Sequence, residues 1–276
     1  MSDSVLGSSL LTLFNPSSSS GSSLIETLYG AGTTGGAPLD SNPILALQDA
    51  QRTQTQAVAN EAKQPEVIDD VDAFRKAVAS ATSVTQLLQN PDFQKVFLTA
   101  NGLASDVGYT ALAAKALASN PSDSNSLANQ LGSAWESAVE TYQFATKGLS
   151  VIQNPQVLNT IGNGYAEVLW RQSLDAGTPG LSNALDFIQR ASSITSVDQI
   201  LGDPTFRAVV TTTLEIPQQI AFQPIDAQEQ AISSRINVAE FQNPSFVTQF
   251  AQRYLLMEQE QSTSSSGSPS SASLLV

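Results

Sequence analysis

Cysteine and histidine are both absent from this 276-residue chain. No disulfide framework, no thiolate nucleophile, no imidazole base and no zinc site of the usual Cys/His kind can be built from it. Charge is scarce as well. Asp, Glu, Lys and Arg make up 13% of residues, about half of the ~25% that is usual, and Ser, Thr, Gln and Asn fill the surface instead. Cations are the rarer sign, with 12 Lys and Arg against 25 Asp and Glu. A net charge of −13 repels phosphate backbones and anionic membrane surfaces, and no basic stripe offsets it, so nucleic acid is not an expected partner.

Long apolar runs are also missing, and no stretch of ~20 apolar residues suggests a membrane span. The first cation is Arg52, so the N-terminus lacks the positive region and 7–15-residue apolar run of a Sec signal. The sequence therefore predicts a cytoplasmic protein, or one exported by a route that uses no Sec signal.

The ends are rich in small polar residues. Residues 1–41 include Ser17-Ser18-Ser19-Ser20-Gly21, and the glycine-rich stretch 30–36 lacks the strand and the Lys-Ser/Thr that phosphate cradling requires. Such composition cannot offset chain entropy, and disorder is expected there and again over 259–276. Two apolar islands interrupt the first segment, one holding Leu11 and Phe14 and the other Leu28 and Tyr29. They read either as incidental hydrophobes or as docking motifs for a partner. Asn42-Pro43 then opens a helical arm, residues 42–65, as cap and first-turn proline.

Residues 66–258 read as an all-α core, a multi-helix bundle built by duplication. Residues 74–103 align with 187–216 without a gap: Phe74 with Phe187, Leu88 with Leu201, Val96 with Val209, Leu103 with Ile216. Each copy carries its own folding signals. Ser83 and Gln86, and likewise Ser196 and Gln199, fit the S-x-x-Q capping box. Asn90-Pro91 and Asp203-Pro204 each supply a cap and a first-position proline for the next helix. Phe93 and Phe206 then open an i, i+3, i+4, i+7 apolar stripe. Asn154-Pro155 and Asn243-Pro244 repeat the start signal. Val209-Val210-Thr211-Thr212-Thr213-Leu214 has strand propensity, which the stripe outweighs.

Candidate chemistry is thin. Glu66, Asp69, Asp70 and Asp72 lack the glycine-turn loop of a calcium site and suit a helix N-terminus. Glu136 and Glu140, spaced i, i+4, read as a solvated helix face. Trp135, Tyr142 and Phe144 are expected in the core. Trp170 is expected either there or as an interface anchor. No cofactor or metal ligand set is identified.

Several strings recur in an order that resembles domain-of-unknown-function family 1217, an alphaproteobacterial family: Thr99-Ala100-Asn101-Gly102-Leu103, then Asn125-Ser126-Leu127-Ala128-Asn129-Gln130-Leu131, Leu214-Glu215-Ile216-Pro217, and Phe250-Ala251-Gln252-Arg253-Tyr254-Leu255. The resemblance spans residues 67–257. The family usually has an aromatic where Leu127 stands, an arginine at Gln130 and a glycine at Glu215. Its members are typically encoded among flagellar rod and hook genes. The resemblance implies a non-enzymatic structural or assembly protein of the bacterial flagellum, binding rod, hook, other axial or export components. The alternatives are a cytoplasmic adaptor or export chaperone for such a subunit, and an enzyme using carboxylates or a Ser–Lys pair. The sequence leaves the oligomeric state open.

Overall fold

The computed structural model describes residues 42–120, 122–123 and 125–266. Leu11, Phe14, Leu28 and Tyr29 lie outside these residues. The described chain is helical throughout, with no strand. In order, the helices are α1 (Pro43–Glu61), α2 (Pro65–Ser80), α3 (Val84–Leu88), α4 (Pro91–Ala100), α5 (Thr110–Leu117), α6 (Leu127–Leu131), α7 (Ser133–Tyr142), α8 (Phe144–Lys147), α9 (Pro155–Leu174), α10 (Leu181–Arg190), α11 (Val197–Gly202), α12 (Pro204–Thr213), α13 (Ile225–Ser233) and α14 (Pro244–Ser266). Residues 209–213, despite their strand propensity, are helical. α14 runs eight residues past the expected end of the core at 258, because neither Gly nor Pro interrupts the sequence before Gly267.

The capping signals work as hydrogen bonds. The Ser196 hydroxyl accepts from Gln199 N at 3.3 Å while Gln199 Oε1 accepts from Ser196 N at 3.3 Å, a complete capping box. In the first copy Ser83 accepts from Gln86 N at 3.2 Å, but Gln86 Oε1 reaches one residue further back, to Thr82 N at 2.9 Å. The expected reciprocal bond to Ser83 N is replaced. Asn90 accepts from Phe93 N, and Asp203 from both Thr205 N and Phe206 N. Asn154 and Asn243 cap α9 and α14 in the same way.

Two apolar cores result, one in each half. Phe74 stacks on Phe93 at 5.7 Å in the first, and the aligned Phe187 meets Phe206 at 5.3 Å in the second. Tyr142 and Phe144 complete the first aromatic cluster; Phe241 and Phe250 complete the second. α9 belongs to both. Its Ile161, Tyr165 and Ala166 are buried in the first core, and its Trp170, 6% exposed, in the second. Trp170 is therefore a core residue rather than an exposed anchor. Trp135 is buried as well.

α1 packs along α9, α10 and α14. Leu47 and Ala50 are buried in the second core, and Val58 packs against both. The segment read as an arm is a strap across the two halves, held by Leu47, Ala50 and Val58.

The halves also touch through backbone. Gly132, between α6 and α7, has φ +121°, and a Cβ there would lie 2.9 Å from the Gly202 carbonyl oxygen that ends α11. Gly132→Ala is expected to lower the free energy of unfolding by about 2–4 kcal/mol, from backbone strain and overpacking together, read from urea denaturation.

α4 and α12 end in the same C-terminal motif. Leu103 N donates to Leu98 O at 2.8 Å and Ile216 N to Thr211 O at 2.9 Å, with both apolar residues buried behind the turn. The left-handed residue of that motif is Gly102 in the first half, φ +76°, but Glu215 in the second, φ +53°. A side chain in this conformation costs roughly 1 kcal/mol. The Glu215–Arg253 pair, 3.3 Å apart with side chains 67% and 56% exposed, returns little of that. Glu215→Gly is expected to raise stability by about 0.5–1 kcal/mol, measurable as a shift in the urea midpoint at constant slope.

Candidate functional site

Most charged side chains inside the fold are already committed to one another. A ladder runs from Glu167 and Arg171 on α9 through Asp186 and Arg190 on α10 to Asp203 at the start of α12. Arg171 is buried; its Nη1 donates to Asp186 at 3.0 Å and its Nη2 to Glu167 and Gln189. Arg190 donates to Asp186 and, through Nη1, to Asp203 at 2.6 Å, and lies 4.9 Å over the Phe206 ring. Burial alone would lower the Arg190 pKa, but the Asp186 and Asp203 carboxylates outweigh it and push it up. Asp203 thus caps a helix and closes an ion pair at once. The ladder borders a cleft of about 120 Å³ whose opposite wall is Thr99, Gly102 and Ala104 of the first half.

A second polar cluster sits where α2, α4 and α9 meet. Tyr165 donates to Asp70 Oδ2 at 2.6 Å, and Lys95 Nζ to Asp70 Oδ1 at 2.7 Å. Burial, then the nearby Asp70 and Glu66 carboxylates, push the Tyr165 phenol well above its ordinary range. It is a hydrogen-bond donor at neutral pH and a poor nucleophile. Of the 66–72 cluster only Glu66 lies in the first turn of α2, Asp69, Asp70 and Asp72 following further along it; Asp70 meets the tyrosine and Asp72 pairs with Arg75. Among the described residues no grouping of carboxylates is arranged to hold a metal ion. Glu140 is exposed and Glu136 partly so.

The apolar surface is organised differently. Val107, Tyr109 and Leu112 are exposed at 38%, 63% and 36%; Phe222 and Ile225 at 89% and 54%. At the spacing of the duplication, Val107 corresponds to Ile220, Tyr109 to Phe222 and Leu112 to Ile225. Both sets lie where a short 3₁₀ turn (Ala104–Asp106 or Gln218–Phe222) connects to α5 or α13; Tyr109 directly precedes α5, and Phe222 ends its turn three residues before α13. Each half therefore presents one exposed aromatic flanked by aliphatic residues in that connection.

The model of the family described as protein of unknown function (DUF1217) matches residues 100–247, more than half of the chain. The chain belongs to that family. The match lies within residues 67–257, where the resemblance was read. The chain is also similar to the crystal structure of protein AGR_C_984 from Agrobacterium tumefaciens, with a TM-score of 0.68 and 21% identity, covering 82% of this chain and 98% of that one. At that identity the likeness shows the fold alone. No curated protein matches the chain.

Of the residues singled out by sequence, Ser83, Gln86, Asn90, Pro91, Phe93, Ser196, Gln199, Asp203, Pro204 and Phe206 lie at the helix starts of the two halves. The exposed pair Tyr109 and Phe222 was missed. The two aromatics stand 113 residues apart, but the helices after them begin 115 apart, at Thr110 and Ile225, so the repeat no longer marks the pair. The ladder was missed too, although Arg190 and Asp203 stand where the first copy has Ala77 and Asn90.

Arg171→Leu leaves Glu167, 22% exposed, without its cation, while Asp186 keeps only Arg190. Breaking a buried pair costs roughly 3–5 kcal/mol, and water at these carboxylates recovers part of it. The expected loss is about 2–3 kcal/mol, measured by urea denaturation, with α-helical circular dichroism retained at 25 °C.

Proposed function

We propose that this protein is a non-catalytic, flagellum-associated structural or assembly factor that holds rod, hook or other axial subunits through its two matching apolar patches. The observation that carries the binding part is the repetition of Tyr109 as Phe222. Apolar surface left in water costs roughly 25 cal/mol per Å², and here it is left at the same position of both copies, 63% and 89% exposed. Buried aromatic anchors dominate interface energies. Family membership supports the flagellar setting, which the resemblance implies.

The absence of histidine and cysteine and the commitment of Glu167, Asp186, Asp203 and Asp70 to ion pairs and caps weigh against catalysis. No helix of the described residues is long and apolar enough to cross a membrane, which agrees with work at a protein surface.

The test is direct binding of the purified protein to purified rod, hook and axial subunits. Tyr109→Ser with Phe222→Ser is expected to weaken binding at least about tenfold with unchanged circular dichroism. Absence of binding to every such subunit overturns the proposal. Fractionation decides the setting: recovery with sheared flagella supports an axial role, and recovery only in cytosol with a bound subunit supports the adaptor.

A further inference from the structure

The two patches share shape but not charge. α5, which follows Tyr109, reads Thr110-Ala111-Leu112-Ala113-Ala114-Lys115-Ala116-Leu117, with one cation and no carboxylate. α13, which follows Phe222, reads Ile225-Asp226-Ala227-Gln228-Glu229-Gln230-Ala231-Ile232-Ser233, with two carboxylates and no cation. A third carboxylate comes from α11. Asp198 lies next to Glu229, and Asp198 first, then burial and Asp226, push the Glu229 pKa up. The fold thus holds carboxylates against one another at the surface, an arrangement that a cation placed beside them relieves.

The same helix α13, through Gln228 and Ile232, lines a cavity of about 250 Å³ between itself, α12 and the 218–222 turn. Leu201, Ile216 and Ile232 are its buried floor, with Ala208, Ile220 and Ala221 on its walls. The volume falls below the roughly 300–1,000 Å³ of small-molecule sites and suits an inserted side chain. The turn that forms one wall exposes Phe222, and the helix that forms another exposes Ile225.

We propose that this second-half groove docks a basic amphipathic segment of another protein, its apolar face entering the cavity against Phe222 and Ile225 and its Lys or Arg residues lying along Asp198, Asp226 and Glu229. Charge complementarity selects this occupant. A second copy of the chain would bring a further net −13 toward an already crowded acidic face. The orientation follows too. Arg207 lines the α12 side of the cavity, its Nη1 donating to Leu201 O at 3.1 Å, so the cations of the partner belong on the α13 side. The inference rests on the reading of the protein as a binding component and narrows its partner; the first patch, with one carboxylate (Asp106) and one cation (Lys115) near it in sequence, makes no such demand.

The probe is a fluorescein-labelled helical peptide with a leucine stripe flanked by lysines, titrated by anisotropy against the full chain near physiological salt. Two matched peptides accompany it, one with glutamate for lysine and one with alanine for leucine. The lysine–leucine peptide is expected to bind, and both matched peptides to bind at least about tenfold more weakly. Phe222→Ser with Ile225→Ser, and separately Asp226→Lys with Glu229→Lys, should each weaken it at least about tenfold, while Ile68→Ser, at an exposed apolar position of α2, leaves it within about twofold. All of these positions but the half-buried Glu229 are exposed, and circular dichroism checks each fold. Equal loss in Ile68→Ser, or binding indifferent to Phe222 and to the leucines, overturns the groove, since either outcome is general attraction to an acidic surface. Self-association that Phe222→Ser abolishes, seen by sedimentation, overturns the choice of occupant. If the peptide behaves as expected but no axial subunit binds, the flagellar assignment fails and the groove stands. If axial subunits bind regardless of the α13 substitutions, the groove fails alone.

Discussion

The fold depends on one helix being buried twice. α9 carries Ile161, Tyr165 and Ala166 into the first core and Trp170 into the second. Each core is small, built from short helices of which several have ten residues or fewer, and isolated helices of that length are marginal in water. They hold because a 20-residue helix gives both clusters a common wall, while α1 covers the seam with Leu47, Ala50 and Val58. The same constraint explains why α1 is so polar. A strap needs only one apolar residue per turn where it crosses, and the rest of its surface faces water.

Short helices place unusual weight on their ends. A ten-residue helix leaves unpaired as many backbone groups as a long one, so caps are a larger share of its stability. That is why the duplication was legible. The start signals at Ser83, Asn90, Ser196 and Asp203, the Pro after each Asn or Asp, and the apolar stripes from Phe93 and Phe206 were all local, and each forms hydrogen bonds at its own site. Non-local features were not legible in the same way. Trp170 could be read as core or surface because its surroundings come from α1, α10 and α14, and nothing in the neighbouring residues of α9 decides between them. Gln86 accepts from the Thr82 N–H and hydroxyl as Gln199 does from those of Thr195, and the box at Ser83 differs only in lacking the further bond from the serine N–H.

The ladder is more instructive. Its partners lie 4 to 18 residues apart on three helices, so no spacing rule announces them. What the sequence did contain was a breach of the repeat. Ala77 and Asn90 in one copy became Arg190 and Asp203 in the other, a paired change that needs a physical reason. The reason is position: the second copy meets α9 where Arg171 is buried, and a buried guanidinium must have carboxylate partners. Comparing copies for paired departures would have located this seam.

The same comparison separates folding from function in the exposed patches. Duplication by itself preserves core positions, because both copies must bury the same stripe. It gives no reason to preserve Tyr109 and Phe222 as exposed aromatics, which stabilise neither core. Where the copies then part, from α5 with its single cation Lys115 to acidic α13, packing does not require the change, since Asp226 is exposed and Glu229 lies at the surface. The exposed aromatic of each half and the charge beside it therefore answer to whatever binds there. In a chain with so few charges, two carboxylates on α13 with a third on α11 near one patch, against Asp106 and Lys115 near the other, give the two surfaces different partners, or different ends of one partner.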